Sequence, residues 1–279
     1  MKGVWSGVLG RDAMQDRFGR TIDYLRVAIT DRCNLRCRYC EPRSGFRPLR
    51  HQDILSFEEI VVVAETAVRM GVRKVRLTGG EPLVRRDAVR LVEMLGRIPG
   101  IEDLAMTTNG TLLAEHAVAL KRSGLGRVNV SLDTVDPERY REITDGGDIR
   151  AVLEGIEAAK KAGLLPVKLN CVVTRSSREP DAVGVAKFAL RNGLEARFIR
   201  KMDTSTGTFE VVEGGKGGDC PRCNRLRISS DGMLRPCLFS DLAFPVREFG
   251  AKQAIELALE AKPESGTRCT RNWIRITGG

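Results

Sequence analysis

Aromatic side chains make up only 5% of this 279-residue chain. So few rings leave little to stack on nucleobases, and no nucleic-acid partner is expected despite the basic charge. Long apolar runs are missing too. None approaches the ~18 residues that span a bilayer, and the opening MKGVWSGVLGRDAMQDRFGR has no apolar stretch of the kind a secretion signal carries. The expectation is a cytoplasmic protein with no membrane partner. There is no repeat beyond an alternation of strand-like and helix-like segments. With 42% apolar and 29% charged residues, the composition is that of an ordinary folded protein rather than a disordered one.

What is present is positive charge and cysteine. Lys and Arg number 46 against 36 Asp and Glu, a formal net charge of +10. That suits an anionic partner as readily as a generally basic surface. Eight cysteines would read as a disulfide framework in a small secreted chain, but in a larger cytosolic one clustered cysteines bind metal or do redox chemistry. They cluster here as Cys33, Cys37 and Cys40, and as Cys220, Cys223 and Cys237, with Cys171 and Cys269 apart.

From Tyr24 to Ile199, β-branched runs at 24–30, 73–78, 102–107, 127–132, 167–173 and 195–199 alternate with helix-period segments. Ser56 followed by Glu59 reads as a capping box ahead of the first helix. The alternation predicts an α/β fold with a parallel sheet, as a partial (β/α)6 barrel or an open doubly wound sheet. In both, functional groups gather at the C-terminal strand ends. The unusual residues fall there: Asp31–Cys40, Gly79-Gly80-Glu81-Pro82, Thr107–Gly110 and Ser131–Asp133. Residues 1–203 read as this barrel. Residues 204–279 read as a smaller cysteine-bearing region, opening with a Gly-rich stretch (204–219) that has the composition of a linker or mobile loop.

Three thiolates at Cys33-x3-Cys37-x2-Cys40 suit an iron–sulfur cluster with one iron left open, whereas zinc prefers four protein ligands, or three plus water. Gly79 and Gly80 would let backbone approach a ligand closely, and the Glu81 carboxylate can hold an ammonium group. On its own GGEP is no more than a turn signal; one β/α unit after the cysteines it gains meaning. In the second group, Asp231-Gly232 reads as a two-residue hairpin turn. Closing it puts Cys237 opposite Leu226 and returns the third thiol to the Cys220/Cys223 knuckle, with Arg225 and Arg227 on its rim. A zinc knuckle completed by Cys269 is the rival. Arg26, Arg76 and Lys168 lie within strand runs, unusual where both sheet faces are covered. Singly each reads as an ion-paired edge residue; together they point to an anion site.

With Tyr39 before its last cysteine, CNLRCRYC resembles the signature of the radical S-adenosylmethionine (SAM) superfamily, and GGEP fits beside it. CPRCNRLR, the later Cys237 and the terminal Gly278-Gly279 are similar to the GTP 3′,8-cyclase family within it, over Arg20–Arg200 and from Cys220 onward. The resemblance implies two [4Fe–4S] clusters, one at Cys33, Cys37 and Cys40 that binds SAM and one at Cys220, Cys223 and Cys237 that binds the guanine. It implies SAM contacts at Tyr39, Gly79, Gly80, Glu81, Ser131 and Met202. GTP contacts would be Arg26, Arg76, Thr107, Lys168, Arg225 and Arg227, with Arg225, Arg227, Gly278 and Gly279 serving catalysis. The reaction implied is a lyase step from GTP to 3′,8-cyclo-7,8-dihydro-GTP, which opens molybdenum cofactor biosynthesis. Its partners would be an electron donor such as flavodoxin or ferredoxin, a downstream pyranopterin synthase and a second copy of the chain. The family carries tens more residues between strand six and Cys220, and has Glu where RFIRKM has Arg200. A related two-cluster enzyme acting on another nucleotide, small molecule or peptide is therefore the alternative. Cys171, inside the fifth strand run, is expected to ligate neither cluster.

Overall fold

The computed structural model describes residues 13–40, 47–202, 207, 209–267 and 269. The Gly278-Gly279 tail lies outside the described residues. Six strands and their crossover helices run as β1 (Tyr24–Ala28), α1 (Phe57–Arg69), β2 (Lys74–Thr78), α2 (Ala88–Gly96), β3 (Asp103–Thr108), α3 (Leu113–Arg122) and β4 (Arg127–Ser131). The chain continues through α4 (Pro137–Thr144), α5 (Ile149–Lys161), β5 (Lys168–Val173), α6 (Pro180–Arg191) and β6 (Glu195–Arg200). Their spatial order is the sequence order, β1 to β6 without reversal, and every pair is parallel. A doubly wound sheet would reverse at a switch point. With right-handed crossovers throughout, an unreversed order keeps the helices on one side and curls the sheet into a partial barrel.

Local chemistry explains the elements. The capping box of α1 is complete: Glu59 N donates to Ser56 Oγ (3.1 Å), and Ser56 N donates to Glu59 Oε2 (2.7 Å). Along the strands, Leu25 and Val27, Val75 and Leu77, Leu104 and Met106, Val128 and Val130, and Leu169 and Cys171 are buried among the helices. The residues between them, including Arg26, Arg76, Thr107, Asn129, Ser131 and Asn170, face the lumen. Strands covered on both faces by core would be apolar throughout; the period of two marks a lumen reserved for polar contents. Truncating an outward residue such as Leu77, fully buried, costs about 2–5 kcal/mol.

The C-terminal region continues the same sheet. β7 (Arg225–Ile228) pairs in parallel with β1, and β8 (Met233–Arg235) and β9 (Phe244–Pro245) follow it antiparallel, giving nine strands. Helix α7 (Val246–Glu260) returns to α1, where Arg247 donates to both Glu59 carboxylate oxygens at 2.7 and 3.0 Å. No helix among the described residues is long and apolar enough to cross a membrane.

Two sequence expectations need correction. Arg227 pairs with Arg235 and Ile228 with Leu234, one residue off the register of a two-residue turn. Gly232 adopts φ +84° as a third loop residue, the left-handed position of a three-residue hairpin loop. The Gly-rich stretch is no slack linker where it is described. Phe198 N donates to Glu213 O and Glu213 N to Phe198 O, at 3.0 and 3.2 Å, so this segment lies against β6. Its glycines serve close packing: a Cβ on Gly218 would sit 1.9 Å from Glu210 O. Arg200 pairs with Glu210 on this segment.

Candidate active site

The first cysteine loop follows β1 and is fastened to the end of α4, where Arg36 N and Arg38 N donate to Thr144 O (3.2 Å) and Ile143 O (3.0 Å). Its three thiols line a cavity of about 180 Å³ at the C-terminal strand ends, together with Tyr39, Gly79, Gly80, Thr107, Ser131 and Met202. The Tyr39 hydroxyl donates to Asp133 Oδ2 (2.6 Å), and Val172 N donates to Asp133 Oδ1 (2.8 Å). Asp133 thus anchors the cysteine loop to β5, a role the sequence signalled only as an acid past a strand end. Burial pushes the Cys37 thiol up to about 12, and the neighbouring Cys40, Asp133 and Cys33 charges add to the rise.

GGEP works differently from its sequence reading. A Cβ on Gly79 would lie 2.3 Å from Thr30 O, and one on Gly80 2.2 Å from Arg32 O. The glycines therefore admit the backbone that launches the cysteine loop. Glu81 is fully buried. Leu83 N (3.0 Å) and Thr108 Oγ1 (2.7 Å) donate to its Oε1, and Asn109 N (2.6 Å) to its Oε2. Burial raises its pKa to about 7 against these bonds. Beyond the ammonium contact expected of it, Glu81 ties the turn after β2 to the end of β3.

Deeper in the lumen, strand register aligns arginines. Arg76 on β2, Arg26 on β1 and Arg227 on β7 are direct partners across three parallel strands. Like charges set opposite one another destabilise a sheet, so this row is not built for folding. Arg76 donates from Nη1 to Thr107 Oγ1 at 3.4 Å. Arg76 and Arg225 both stand 5.8 Å from the centre of the Tyr24 ring. Burial alone would raise the Tyr24 phenol, but Arg76, Arg26, Arg225 and Arg227 together hold it below its ordinary value. Arg26 is itself pushed well down, by burial first and by Arg227 next. The sequence reading missed Arg197 on β6, which is opposite the cavity-lining Asn170. Among the described residues, Nε of Arg76 and of Arg197 is buried without a hydrogen-bond partner. Lys168 shares this face but pairs with Glu195, so its charge is already answered.

The row leads to the second thiol group. Cys220, Cys223 and Cys237 line a cavity of about 40 Å³ with Arg225, Arg227 and Lys262. Arg20 clamps the knuckle, donating to Cys220 O (2.8 Å), Glu264 O (2.8 Å) and Pro263 O (2.6 Å). Burial works to raise the Cys223 thiol, yet Lys262, a backbone bond, Arg225 and Arg227 bring it below its ordinary value. Cys269 does not line this cavity; its thiol lies 3.3 Å from Asp241 Oδ1. Cys171 is buried beneath the Asp133 carbonyl (3.5 Å) and reaches neither cavity.

Residues 27–189 match the model of the radical SAM superfamily. A GTP 3′,8-cyclase of Petrotoga mobilis is 40% identical over 90% of this chain and 94% of that protein. One of Pelotomaculum thermopropionicum is 41% identical over 95% of this chain and 100% of its own length. This chain belongs to the radical SAM superfamily, in its GTP 3′,8-cyclase family. The second alignment runs over 325 positions against 279 residues here, so that relative carries residues this chain lacks. Among solved structures, anSMEcpe with bound AdoMet is similar in fold, with TM-score 0.61 and 17% identity over 86% of this chain and 82% of that one.

A radical SAM enzyme needs an iron–sulfur cluster beside a SAM pocket, and the first site fits. Its three thiols open onto one cavity, and burial, then neighbouring charge, disfavours the Cys37 thiolate, which bound iron would stabilise. No three His, Cys, Asp or Glu side chains among the described residues converge on a single metal ion. Thiols spread around a cavity suit the larger span of a multi-iron cluster. The second triplet likewise lines one cavity, with a cationic wall.

Proposed function

We propose that this chain converts GTP to 3′,8-cyclo-7,8-dihydro-GTP in the cytoplasm, the first step of molybdenum cofactor biosynthesis. The observation that carries the reading is the arginine row from Arg76 through Arg26 to Arg227, which ends at the second thiol triplet. Guanidinium groups set side by side across strands favour an anion, and a triphosphate supplies several negative charges with oxygens matched to the arginine fork. Relatives that share about 40% of their residues and carry the cyclase name support the choice of nucleotide.

In this reading Cys33, Cys37 and Cys40 hold one [4Fe–4S] cluster, and Cys220, Cys223 and Cys237 hold another. SAM would lie against Tyr39, the Gly79-Gly80 backbone, Ser131 and Met202, which share the larger cavity. When bound, SAM and the first cluster would supply a 5′-deoxyadenosyl radical able to take the ribose 3′ hydrogen, and bonding of C3′ to guanine C8 would then be completed by one electron from the reductant and one proton. The protein's part is positioning and charge neutralisation. Arg26, Arg76, Arg197, Arg225 and Arg227 receive the triphosphate, the Thr107 hydroxyl adds a neutral contact, and Tyr24 holds two guanidinium planes in place. Arg227 borders both the row and the second triplet, so a nucleotide gripped by its phosphates presents its base to the second cluster. Lys168, paired with Glu195, contributes less. Gly278-Gly279 would thread the site where a side chain would clash. Electrons would come from a flavodoxin or ferredoxin, the product would pass to a pyranopterin synthase, and the enzyme would act as a homodimer.

The test is anaerobic: reconstituted protein, dithionite and SAM, with and without GTP, scored for 5′-deoxyadenosine and a cyclised nucleotide. GTP-dependent cyclised product is expected. Product from another nucleotide or a peptide, and none from GTP, would assign the chain to the related two-cluster enzymes and make the missing segment the cause.

A further inference from the structure

We propose that Lys262 is a positioning residue for the second thiol triplet, whose fixed ammonium holds Cys223 and Cys237 in register and sets the reduction potential of the cluster they bind. The inference rests on the two-cluster reading above. Lys262 follows α7 and is only 1% exposed. Its Nζ donates to Arg225 O (2.7 Å) and Pro236 O (2.8 Å) and to Cys223 Sγ (3.6 Å). An ammonium has three protons, and here each has an acceptor, so the group cannot rotate and one N–H is aimed at sulfur. Arg225 lies two residues past Cys223, and Pro236 directly precedes Cys237. One charge therefore ties together the two arms that carry the thiols.

Packing alone gives no reason for a lysine here. Burying an ammonium is unfavourable unless negative charge meets it, and a methionine would fill the same volume. The first triplet shows the contrast: Cys33 Sγ is approached by the neutral groups Leu35 N (3.4 Å) and Asn109 Nδ2 (3.8 Å). Hydrogen bonds and positive charge at cluster sulfurs favour the more negative, reduced state and raise the potential.

The test uses full-length protein with Cys33, Cys37 and Cys40 replaced by Ala, so that only the second cluster can load. Lys262, Lys262→Met and Lys262→Arg forms are reconstituted anaerobically, and the cluster is titrated redox-potentiometrically with detection by electron paramagnetic resonance. The Met variant is expected to shift negative enough to cut the reduced-to-oxidised ratio at fixed potential about tenfold, 59 mV for a one-electron couple. The Arg variant should recover most of the shift. Should the Met variant hold no cluster, Lys262→Gln replaces it in the titration; loss of the cluster in both neutral variants with retention in the Arg variant supports the same role. An unchanged midpoint in a loaded neutral variant, or cluster loss in all three, overturns the role of Lys262 alone. Failure of the Lys262 form itself to take up iron overturns the two-cluster reading, and this inference with it.

Discussion

The two cysteine triplets have the same number of thiols and different charges around them. The first sits on a loop beside Asp133, where burial and neighbouring negative charge push Cys37 up to about 12. The second sits at the end of an arginine row beside a buried lysine, and Cys223 is held below its ordinary value despite burial. Three thiolates alone do not tell these sites apart. Their charge settings do: in the proposed reading one takes a cluster and a zwitterionic cofactor, the other a cluster and a polyanion.

The largest expected effect separates the triplets outright. Replacing Cys33, Cys37 and Cys40 by Ala should halve the iron and abolish SAM cleavage, whereas replacing Cys220, Cys223 and Cys237 should also halve the iron yet leave uncoupled SAM cleavage. Anaerobic iron counting and 5′-deoxyadenosine yield check both, and equal loss of cleavage in the two variants would break the comparison. Next comes the row itself. Arg76→Leu should weaken GTP binding about 10–100-fold, the value of hydrogen bonds to a charged group. The same change should raise the unfolding temperature of the ligand-free protein, because it removes like-charge repulsion. Calorimetry and thermal unfolding read the two effects.

A third experiment reads the charge difference directly. The thiolate is the nucleophile, so in cluster-free protein near pH 8 iodoacetamide should label Cys223 tens of times faster than Cys37, at roughly 50-fold, with the gap closing as pH rises toward the Cys37 value. Peptide mapping by mass spectrometry gives both rates. Cys269→Ser should leave iron content unchanged, because its thiol turns to Asp241; loss of iron would give the second site a fourth ligand. The smallest effect concerns the link between the halves. Arg247, ahead of other causes, holds Glu59 down at about 2. A lowered carboxylate pKa contributes stability above its unfolded value, and that contribution fades as pH falls from about 4.5 toward 2. Glu59→Gln keeps the capping box and should cost up to about 1 kcal/mol at neutral pH, since the pair is partly exposed, and nothing near pH 2. Denaturant unfolding at the two pH values measures it.

Much of this was legible in the sequence because it is local. The capping box at Ser56 and Glu59, the six β/α units and both cysteine groups all follow from spacing along the chain. The roles of Gly79, Gly80 and Glu81 were not legible, because their neighbours Thr30, Arg32 and Asn109 arrive from other loops. The hairpin register turned on whether Gly232 lies inside a two- or a three-residue loop. Leu55 helps to decide it from a distant part of the chain, packing so close that a Cβ on Gly232 would lie 2.9 Å from its side chain.

By itself the sequence determined which chemistry is available: soft thiols in two groups, an excess of arginine, and strands that keep one face polar. Only tertiary structure decided which charges meet. Arg26 joins the proposed anion site because β2 and β7 place Arg76 and Arg227 beside it in register. Lys168 is paired instead, because β6 brings Glu195 opposite it. Lys262 carried no sequence signal at all; it gains its place because the end of α7 folds back between Cys223 and Cys237. Charges act through distance and burial, and neither can be read from position along the chain.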